Sequence, residues 1–348
     1  MSVLLNNETK IWFTMGPASS EPNIVSQLIQ HGAGGCRLTF SYGTPEIQIK
    51  RADLIREKSR QHNAKCDIIA DLAGEKIRLG EFNGLNQLMI SKGDKLKFAK
   101  SGFDLSKKII PVNSTEFIDR VSKGDHIVIG DGSAELIIIE KFDNSLTCEA
   151  VDDGVLNPNR GIVAQSDSVQ PSSLTMKDWS DLKAIINSQK FDAVAFSFIS
   201  KHEELKQIHD FLNDNSAKIP IIAKIETKKG VENLPEILPL VDAIIIGRGD
   251  LALFSPWTEL GFLVDQAAKT AKKANKPWVI GTQLVEGLER FSFPTRSEIC
   301  DITRWLTDGA SGFLLSYETA FGPKAVSAVS SLNKLITAYY NKFGERKK

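Results

Sequence analysis

Four side chains suited to metal and phosphate chemistry follow short apolar runs in the second half of the chain: Lys224, Glu226, Asp250 and Thr282. Carboxylate oxygens suit Mg²⁺ or Mn²⁺, whereas an ammonium and a hydroxyl suit a phosphorylated substrate. If the strands are parallel and closed into a barrel, their carboxyl ends share one rim, where such barrels do their chemistry. The pattern therefore predicts a metal and phosphate site, with Glu226 and Asp250 sharing a divalent cation.

The spacing of Lys224 and Glu226 allows both side chains to reach one ligand. On an extended chain, residues two apart project from the same face, while Ile225 between them packs the opposite way. The same spacing also suits an ordinary surface ion pair, which contributes only about 0 to 1 kcal/mol. In the next motif, the glycines on either side of Arg248 free backbone amides for an anion, although such turns are common.

Further polar residues follow other predicted strands. Arg37 ends the second strand and Asp71 ends the third, with Arg78 on the same segment. Guanidinium groups match phosphate geometry, but either arginine would also hold a loop by pairing with Asp71. Ser316 and Glu318 follow the last strand, where they suit proton relay or helix capping. Because suitable residues follow six strands independently, we interpret them as one site.

Apolar runs bounded by turn signals alternate with helical periodicity along most of the chain, which is the pattern of β/α units. Eight strands are predicted, at residues 10–15, 35–39, 67–71, 192–198, 220–225, 242–247, 277–281 and 312–316. Helices are predicted at residues 22–31, 45–62, 176–188, 203–213, 260–275, 295–307 and 323–340. The fold class is therefore α/β, a (β/α)8 TIM barrel.

One stretch between the third and fourth strands, residues 82–170, is far too long to be a loop. Its short alternating runs are separated by Lys-Gly-Asp and Asp-Gly turns, which is typical of all-β structure. We predict a small all-β barrel domain here, inserted after strand three as a lid over the rim. The catalytic barrel would comprise residues 1–81 and 171–341, followed by a charged tail at 342–348.

The overall composition excludes several other classes. The chain of 348 residues is 42% hydrophobic and 25% charged, and its formal net charge is +0 at pH 7. This balance does not favour nucleic acid or an anionic membrane as a partner. The sequence shows no signal peptide and no apolar run of membrane-spanning length, so a cytoplasmic protein is expected. The four cysteines are widely spaced, which predicts buried free thiols.

Segments that match a known family are spread over nearly the entire chain. They are residues 9–11, 14–19, 37–41, 71–78, 197–199, 223–226, 247–251, 282–283, 294–298 and 316–320. Together they resemble pyruvate kinase, and the insertion at 82–170 falls where that family carries its lid. The resemblance implies phosphoryl transfer from phosphoenolpyruvate to a nucleoside diphosphate such as ADP, giving pyruvate and ATP.

The resemblance also implies a role for each matching residue. Glu226 and Asp250 would hold Mg²⁺ or Mn²⁺, while Lys224 would neutralise charge on the phosphoryl group in flight. The substrate would be bound by Gly249, Asp250, Thr282, Ser197 and Lys224. The implied catalytic residues are Lys224, Thr282, Arg37 and Arg78, with Ser316 and Glu318 for proton delivery. The implied nucleotide-binding residues are Arg37, Tyr42, Asp131 and Arg160.

The chain departs from the family's pattern at several positions. The monovalent-cation site of the family matches Thr39, Ser41, Asp71 and Lys76. Potassium-requiring members have glutamate where this chain has Lys76, so the ammonium is expected to replace potassium. Tyr42 replaces a usual histidine, Phe254 a usual acid and Tyr317 a usual glycine, and the phenol of Tyr317 would fill space near the proton relay.

Family members continue past the barrel into a further α/β domain used for assembly, which this sequence does not show. We therefore expect a monomer or a barrel-mediated homodimer without allosteric sugar-phosphate control. Two alternatives to the kinase remain open. One is a metal-dependent lyase or aldolase acting on a 2-oxo acid, and the other is a non-catalytic relative that binds phosphoenolpyruvate.

Overall fold

The computed structural model describes residues 9–100, 102–166, 169 and 171–344 of the chain. Its main strands are β1 Lys10–Thr14, β2 Ala33–Thr39, β3 Asp67–Leu72, β4 Ala193–Phe196, β5 Ile221–Ile225, β6 Ala243–Gly247, β7 Trp278–Gly281 and β8 Gly312–Leu315. They are parallel and form a closed barrel in which each strand pairs with its neighbours in sequence and β8 pairs with β1. The predicted (β/α)8 TIM barrel is confirmed, and every predicted strand overlaps an observed one.

Helices follow each strand of the barrel. They are α1 Pro22–Gln30, α2 Pro45–Gln61, α3 Met176–Ser188, α4 His202–Asp214, α5 Lys228–Glu232, α6 Leu234–Ile237, α7 Arg248–Leu253, α8 Leu260–Lys273, α9 Arg296–Asp308, α10 Tyr317–Ala320 and α11 Ala325–Phe343. The sequence predicts the seven long helices, whereas α5, α6, α7 and α10 are too short to show a hydrophobic period. In the described ranges, no helix has the length and apolar character needed to cross a membrane.

The interior of the barrel is a dry apolar cluster. Its members are Trp12, Ile69, Ala193, Ala195, Ile222, Ala243, Ile245, Val279 and Leu314. The indole of Trp12 fits there because Gly35 on the neighbouring strand has no side chain. A Cβ atom on Gly35 would lie only 2.1 Å from the Trp12 ring. Large and small residues on facing positions therefore fill the interior of the barrel.

A second compact unit comprises residues 75–172 together with 250–260. Its strands are Leu88–Ile90, Lys95–Ala99, Ile109–Pro111, His126–Ile129, Ala134–Phe142, Ser145–Ala150, Gly154–Leu156 and Ile162–Gln165. Six of them form one sheet, while Leu88–Ile90 and Gly154–Leu156 form a separate antiparallel pair. One short helix, Thr115–Arg120, packs Phe117 into the apolar core of this unit. The inserted domain is thus predominantly β, as the alternating sequence pattern predicts.

Candidate active site at the carboxyl end of the barrel

A polar layer lies directly beyond the apolar interior of the barrel. Because side chains alternate along a strand, residues two positions further on project from the same face as the interior residues. Those residues are Thr14, Arg37, Asp71, Ser197, Lys224, Gly247, Gly281 and Ser316, one from the carboxyl end of each strand. We call this set the rim layer.

Lys224 connects one side of the rim layer. Its Nζ donates a hydrogen bond to Ser197 Oγ at 2.8 Å and lies 2.9 Å from Glu226 Oε1 and 3.2 Å from Asp71 Oδ1. The lysine and both carboxylates are buried, each with at most 5% of its surface exposed. Burial of charges is unfavourable unless they are paired, so this arrangement fixes the ammonium at one point of the barrel.

Arg37 connects the opposite side of the rim layer. Its guanidinium donates to Thr14 Oγ1 at 2.8 Å, to Asp71 Oδ2 at 3.3 Å and to Ser316 Oγ at 3.3 Å. The pairing with Asp71 that the sequence left open is therefore present. The group as a whole is balanced, since Arg37 and Lys224 carry two positive charges and Asp71 and Glu226 carry two negative charges.

Asp71 keeps one acceptor atom available. Its Oδ1 is buried and accepts no hydrogen bond from the described residues, although Lys224 Nζ lies 3.2 Å away. The Lys224 ammonium therefore compensates the charge of this oxygen through an ion pair. Buried acceptors of this kind are rare in folded proteins and call for an explanation, such as a ligand or an ion.

Glu226 lies immediately after β5 and packs tightly against β6. Its Oε2 accepts the backbone N–H of Phe198 at 3.1 Å, and Phe198 itself has a positive φ of 57°. A Cβ atom on Gly247 would lie 2.7 Å from Glu226 Cγ and 2.8 Å from Oε1. Glycine at position 247 therefore makes room for the carboxylate. The sequence motif Gly-Arg-Gly-Asp is not only a turn here, since α7 begins at Arg248.

Thr282 follows β7 in a turn with an uncommon backbone conformation. Thr282 and Gln283 have φ values of 73° and 53°, in the left-handed region that residues other than glycine seldom adopt. The side chain of Thr282 lies against Gly249, where an added Cβ atom would come 3.2 Å from the Thr282 methyl carbon. The structure thus brings two of the predicted substrate-binding residues together.

Arg248 is a residue of this site that the sequence analysis missed. Its guanidinium donates to the backbone carbonyls of Gly281, Thr282 and Gln283 and to the carboxylate of Asp301. Its position in the sequence could have indicated this role. An arginine directly after a buried strand and between two glycines is not placed to extend into solvent. Its partners are distant in sequence and carry no signal of their own.

Glu318 is used for structure in this arrangement. Its carboxylate accepts the backbone N–H groups of Ser316, Leu284 and Val285, at 2.9, 2.8 and 3.3 Å. Nearby, burial raises the pKa of the Glu286 carboxyl, and the negative charge of Glu318 raises it further. Glu318 therefore joins the segment after β7 to the start of α10, while proton delivery stays a prediction.

Tyr317, one of the departures from the family's pattern, is partly exposed to solvent. The phenol is 49% exposed and stacks on Phe321, with ring centroids 5.9 Å apart. One part of the ring therefore contacts the residue that follows the short helix α10, and the other part is exposed to solvent. Tyr42, another aromatic departure, is 57% exposed in the segment after β2.

The remaining predicted residues divide between the two units. Thr39 and Ser41 lie at the end of β2 and just after it, where the Ser41 N–H donates to Thr39 Oγ1 at 3.4 Å. Asp250, Lys76, Arg78, Asp131 and Arg160 belong to the second compact unit. Within that unit Lys76 Nζ lies 4.0 Å from Asp250 Oδ2, and Arg78 donates to the carbonyl of Asn159 at 3.0 Å.

The acidic residues of the barrel site suit a hard divalent cation better than zinc. Carboxylate oxygens are the ligands that Mg²⁺ and Mn²⁺ prefer, and Glu226, the predicted metal ligand within the barrel unit, is buried and paired with Lys224 at 2.9 Å. Among the residues described, no group of three or more histidine, cysteine, aspartate or glutamate side chains is arranged to hold a metal. A cation here would therefore rely on substrate or water oxygens for its remaining ligands, as Mg²⁺ commonly does.

A closed (β/α)8 barrel with a charged, buried rim layer defines a barrel protein of the class that binds its ligands beyond the carboxyl ends of the strands. A family described as "Pyruvate kinase, barrel domain" matches residues 6–329. The chain belongs to the pyruvate kinase family, as the sequence motifs predict.

Individual relatives agree with this assignment. The chain is 31% identical to a pyruvate kinase of Thermococcus litoralis, over 95% of this chain and 70% of the relative. It is 33% identical to a pyruvate kinase of Chlamydia pneumoniae, over 94% of this chain and 68% of the relative. It is 29% identical to pyruvate kinase 2 of Synechocystis sp., over 95% of this chain and 56% of the relative.

Proposed function

We propose that this protein is a phosphotransferase that moves a phosphoryl group from phosphoenolpyruvate to ADP, giving pyruvate and ATP. The observation that carries the proposal is the buried ammonium of Lys224, held between two carboxylates at the carboxyl end of the barrel. A cation fixed in a site with little water stabilises a transferring phosphoryl group far more than a solvated one would.

Lys224 would neutralise the charge of the phosphoryl group as it passes between its two oxygen partners. Ser197 orients this ammonium through the 2.8 Å hydrogen bond between Oγ and Nζ. Arg37, positioned by Thr14 and Asp71, would steady the phosphate together with Arg78. The contacts that hold Lys224 and Arg37 in place support the phosphate-binding roles proposed for them.

Glu226 and Asp250 are proposed to hold the divalent cation. When bound, Mg²⁺ or Mn²⁺ would supply Lewis-acid stabilisation of the substrate oxygens. Thr282 and the backbone amides of Gly249 and Asp250 would bind the substrate carboxylate. The left-handed turn at Thr282, its contact with Gly249 and the start of α7 at Arg248 support this assignment.

Proton delivery and nucleotide binding are proposed from the resemblance. Ser316, whose hydroxyl accepts a hydrogen bond from Arg37, would begin the proton path to the enolate, with Glu318 holding the turn. Tyr42, Asp131 and Arg160 would contact the nucleotide, with the inserted domain acting as the lid. A cytoplasmic location and a monomer or barrel-mediated homodimer remain predictions.

Potassium independence is also part of the proposal. Lys76 Nζ lies 4.0 Å from the carboxylate of Asp250, so a fixed positive charge already accompanies this proposed metal ligand. An ammonium in this position would replace a bound monovalent cation, so Thr39, Ser41 and Asp71 would not be required to hold potassium. The rate in tetramethylammonium buffer should be close to the rate in potassium buffer, and strong stimulation by potassium would refute the role given to Lys76.

The direct test is turnover of phosphoenolpyruvate. Purified protein, Mg²⁺, phosphoenolpyruvate and ADP are mixed, and pyruvate is followed with a coupled dehydrogenase. The expected result is pyruvate formation that stops when the metal is chelated and resumes when Mg²⁺ is added back. No turnover with ADP or any other nucleoside diphosphate would reject the proposal. Tight phosphoenolpyruvate binding without turnover would indicate the non-catalytic relative, and cleavage of a 2-oxo acid without nucleotide would indicate a lyase.

A further inference from the structure

We infer that Arg248 is a positioning residue that sets the geometry of the substrate-carboxylate side of the site by holding the turn after β7. The inference rests on the proposed function, because that proposal assigns Thr282 of this turn to the substrate. Arg248 itself would not touch the substrate, since its guanidinium is occupied by protein groups on the far side of the turn.

The guanidinium of Arg248 binds three successive backbone carbonyls. Its Nε donates to Gly281 O at 3.1 Å, and one terminal nitrogen donates to Thr282 O at 2.5 Å and to Gln283 O at 3.2 Å. Three consecutive carbonyls facing one cation is not a conformation that an ordinary strand end adopts, because carbonyls alternate along a strand. The arginine is therefore part of what determines the shape of this turn.

The turn is strained in a way that requires such a partner. Thr282 is β-branched and has a φ of 73°, and Gln283 follows with a φ of 53°. A β-branched residue in this region is a genuine outlier, and such strain persists at functional sites only where surrounding contacts impose it. The hydrogen bonds from Arg248 are contacts of this kind, because they satisfy the carbonyls only when the chain turns in this way.

Arg248 is in turn oriented by α9. Its second terminal nitrogen donates to Asp301 Oδ2 at 2.6 Å, which makes a charge-assisted pair on a helix of the barrel wall. The residue after Arg248 is Gly249, the proposed neighbour of the substrate carboxylate, whose Cα faces the Thr282 side chain. One arginine thus couples the ends of β6 and β7, which carry the two halves of the proposed carboxylate pocket.

The test compares Arg248→Gln with a matched control, Arg56→Gln. Arg56 also donates to two backbone carbonyls, those of Cys66 and Lys190, and to one carboxylate, that of Asp192 at 2.6 Å. Its partners precede β3 and β4, at the amino ends of the strands. The two variants therefore lose a similar set of bonds at opposite ends of the barrel.

Arg248→Gln should raise KM for phosphoenolpyruvate by about 10- to 100-fold while leaving KM for ADP nearly unchanged. Arg56→Gln should change neither KM, although both variants should melt at lower temperature. Arg248→Lys, which keeps the charge but loses the fork, should fall between wild type and Arg248→Gln and covers the case in which the glutamine variant fails to fold. An unchanged KM for phosphoenolpyruvate in the Arg248 variants, or an equal rise in Arg56→Gln, would overturn the inference.

A crystal structure of an Arg248 variant separates this inference from the proposed function. If wild type fails to turn over phosphoenolpyruvate with any nucleoside diphosphate, the proposed function fails regardless of Arg248. In that case the backbone conformation of Thr282 alone tests the positioning role of Arg248. We expect Thr282 to leave the left-handed region in the variant, and retention of its φ near 73° would contradict the positioning role.

Discussion

Two aspartates on the same strand illustrate how the ends of this barrel differ. Asp67 begins β3 and Asp71 lies one residue before its end, and both are buried, with 1% and 4% of their surface exposed. Asp67 is paired with Lys10 at 2.5 Å and with Lys65 at 3.4 Å. Asp71 is paired with Arg37 and Lys224, yet its Oδ1 accepts no hydrogen bond from the described residues.

The difference between the two carboxylates is in what surrounds them. At the amino end of β3, Lys10 and Lys65 neutralise the charge of the Asp67 carboxylate, which stabilises the fold. The carboxyl end gathers two cations and a second carboxylate around Asp71, whose Oδ1 is held by an ion pair without a hydrogen bond from the described residues. In (β/α)8 barrels, functional residues lie at the carboxyl ends of the strands and stabilising residues at the amino ends. Strand β3 carries one aspartate of each kind.

The largest expected effect comes from Lys224→Met at the carboxyl end. Removing the ammonium should lower kcat for pyruvate formation by about 10³-fold or more, the scale found for other charges that stabilise a transferring phosphoryl group. Coupled assays at saturating phosphoenolpyruvate and ADP measure this. Circular dichroism checks that the variant is folded, and a rate within tenfold of wild type would remove Lys224 from the mechanism.

The matching change at the amino end is Lys10→Met, which should affect stability and not chemistry. Breaking a buried ion pair by removing one partner costs about 3 kcal/mol, and Lys65 would compensate only in part because its side chain is 58% exposed. Urea denaturation measures the loss of unfolding free energy. The kcat of the folded variant should stay near the wild-type value, and a large fall in kcat without loss of stability would erase the distinction between the two ends.

A smaller, pH-dependent effect is expected from Glu286→Gln near the carboxyl end. The pKa of this carboxyl is raised from 4.5, first by burial and then by the charge of Glu318. The folded state therefore binds the proton more tightly than the unfolded state, so this group lowers stability as pH rises from 4.5 through its folded pKa. The glutamine variant lacks this loss, so it should melt at higher temperature than wild type at neutral pH.

Melting curves at several pH values check the sign of this effect. The advantage of Glu286→Gln should shrink as the pH falls through the raised pKa toward 4.5 and should be absent well below 4.5, where the wild-type carboxyl is protonated in both states. A difference in melting temperature that is the same at acid and neutral pH would show that the substitution acts by packing and not by charge.

The smallest effect concerns thiol reactivity and again compares buried with accessible groups. Burial raises the pKa of Cys66 to about 12, with Asp67 beside it contributing, and burial raises the pKa of Cys148 to about 12. Cys36 is also buried, whereas Cys300 on α9 is exposed, so the prediction of buried thiols is wrong for Cys300. A thiol reagent should label only Cys300 rapidly in the native protein, as peptide mapping would show, and rapid labelling of Cys66 would mean that the amino end opens.

Local sequence signals predicted much of the fold. Apolar runs with turn signals located every barrel strand, and the Gly-containing turns of the insertion have positive φ values of 82°, 94° and 89° at Gly93, Gly124 and Gly132. Period-two alternation also explains why Lys224 follows Ile222 on the same face and so joins the rim layer. These features depend on neighbours a few residues away, which is why the sequence is sufficient for them.

Other features depend on contacts between distant segments and were not predictable. Nothing in the sequence shows that Arg248 binds the turn after β7 or that residues 250–260 belong with the inserted unit. The sequence also could not tell whether Glu318 relays a proton or holds a turn, because both uses need the same residue type in the same place. The sequence predicts a turn where the short helix α7 lies, because Gly247 and Gly249 dominate the local signal.

By itself, then, the sequence determined which residues stand at the strand ends and which family the chain belongs to. Only the tertiary structure decided their partnerships, because closing the barrel brings Asp71 of β3 and Ser197 after β4 to within 3.2 Å of the Lys224 ammonium. Side-chain alternation is a local property of an extended chain, whereas pairing among buried charges depends on which strands become neighbours.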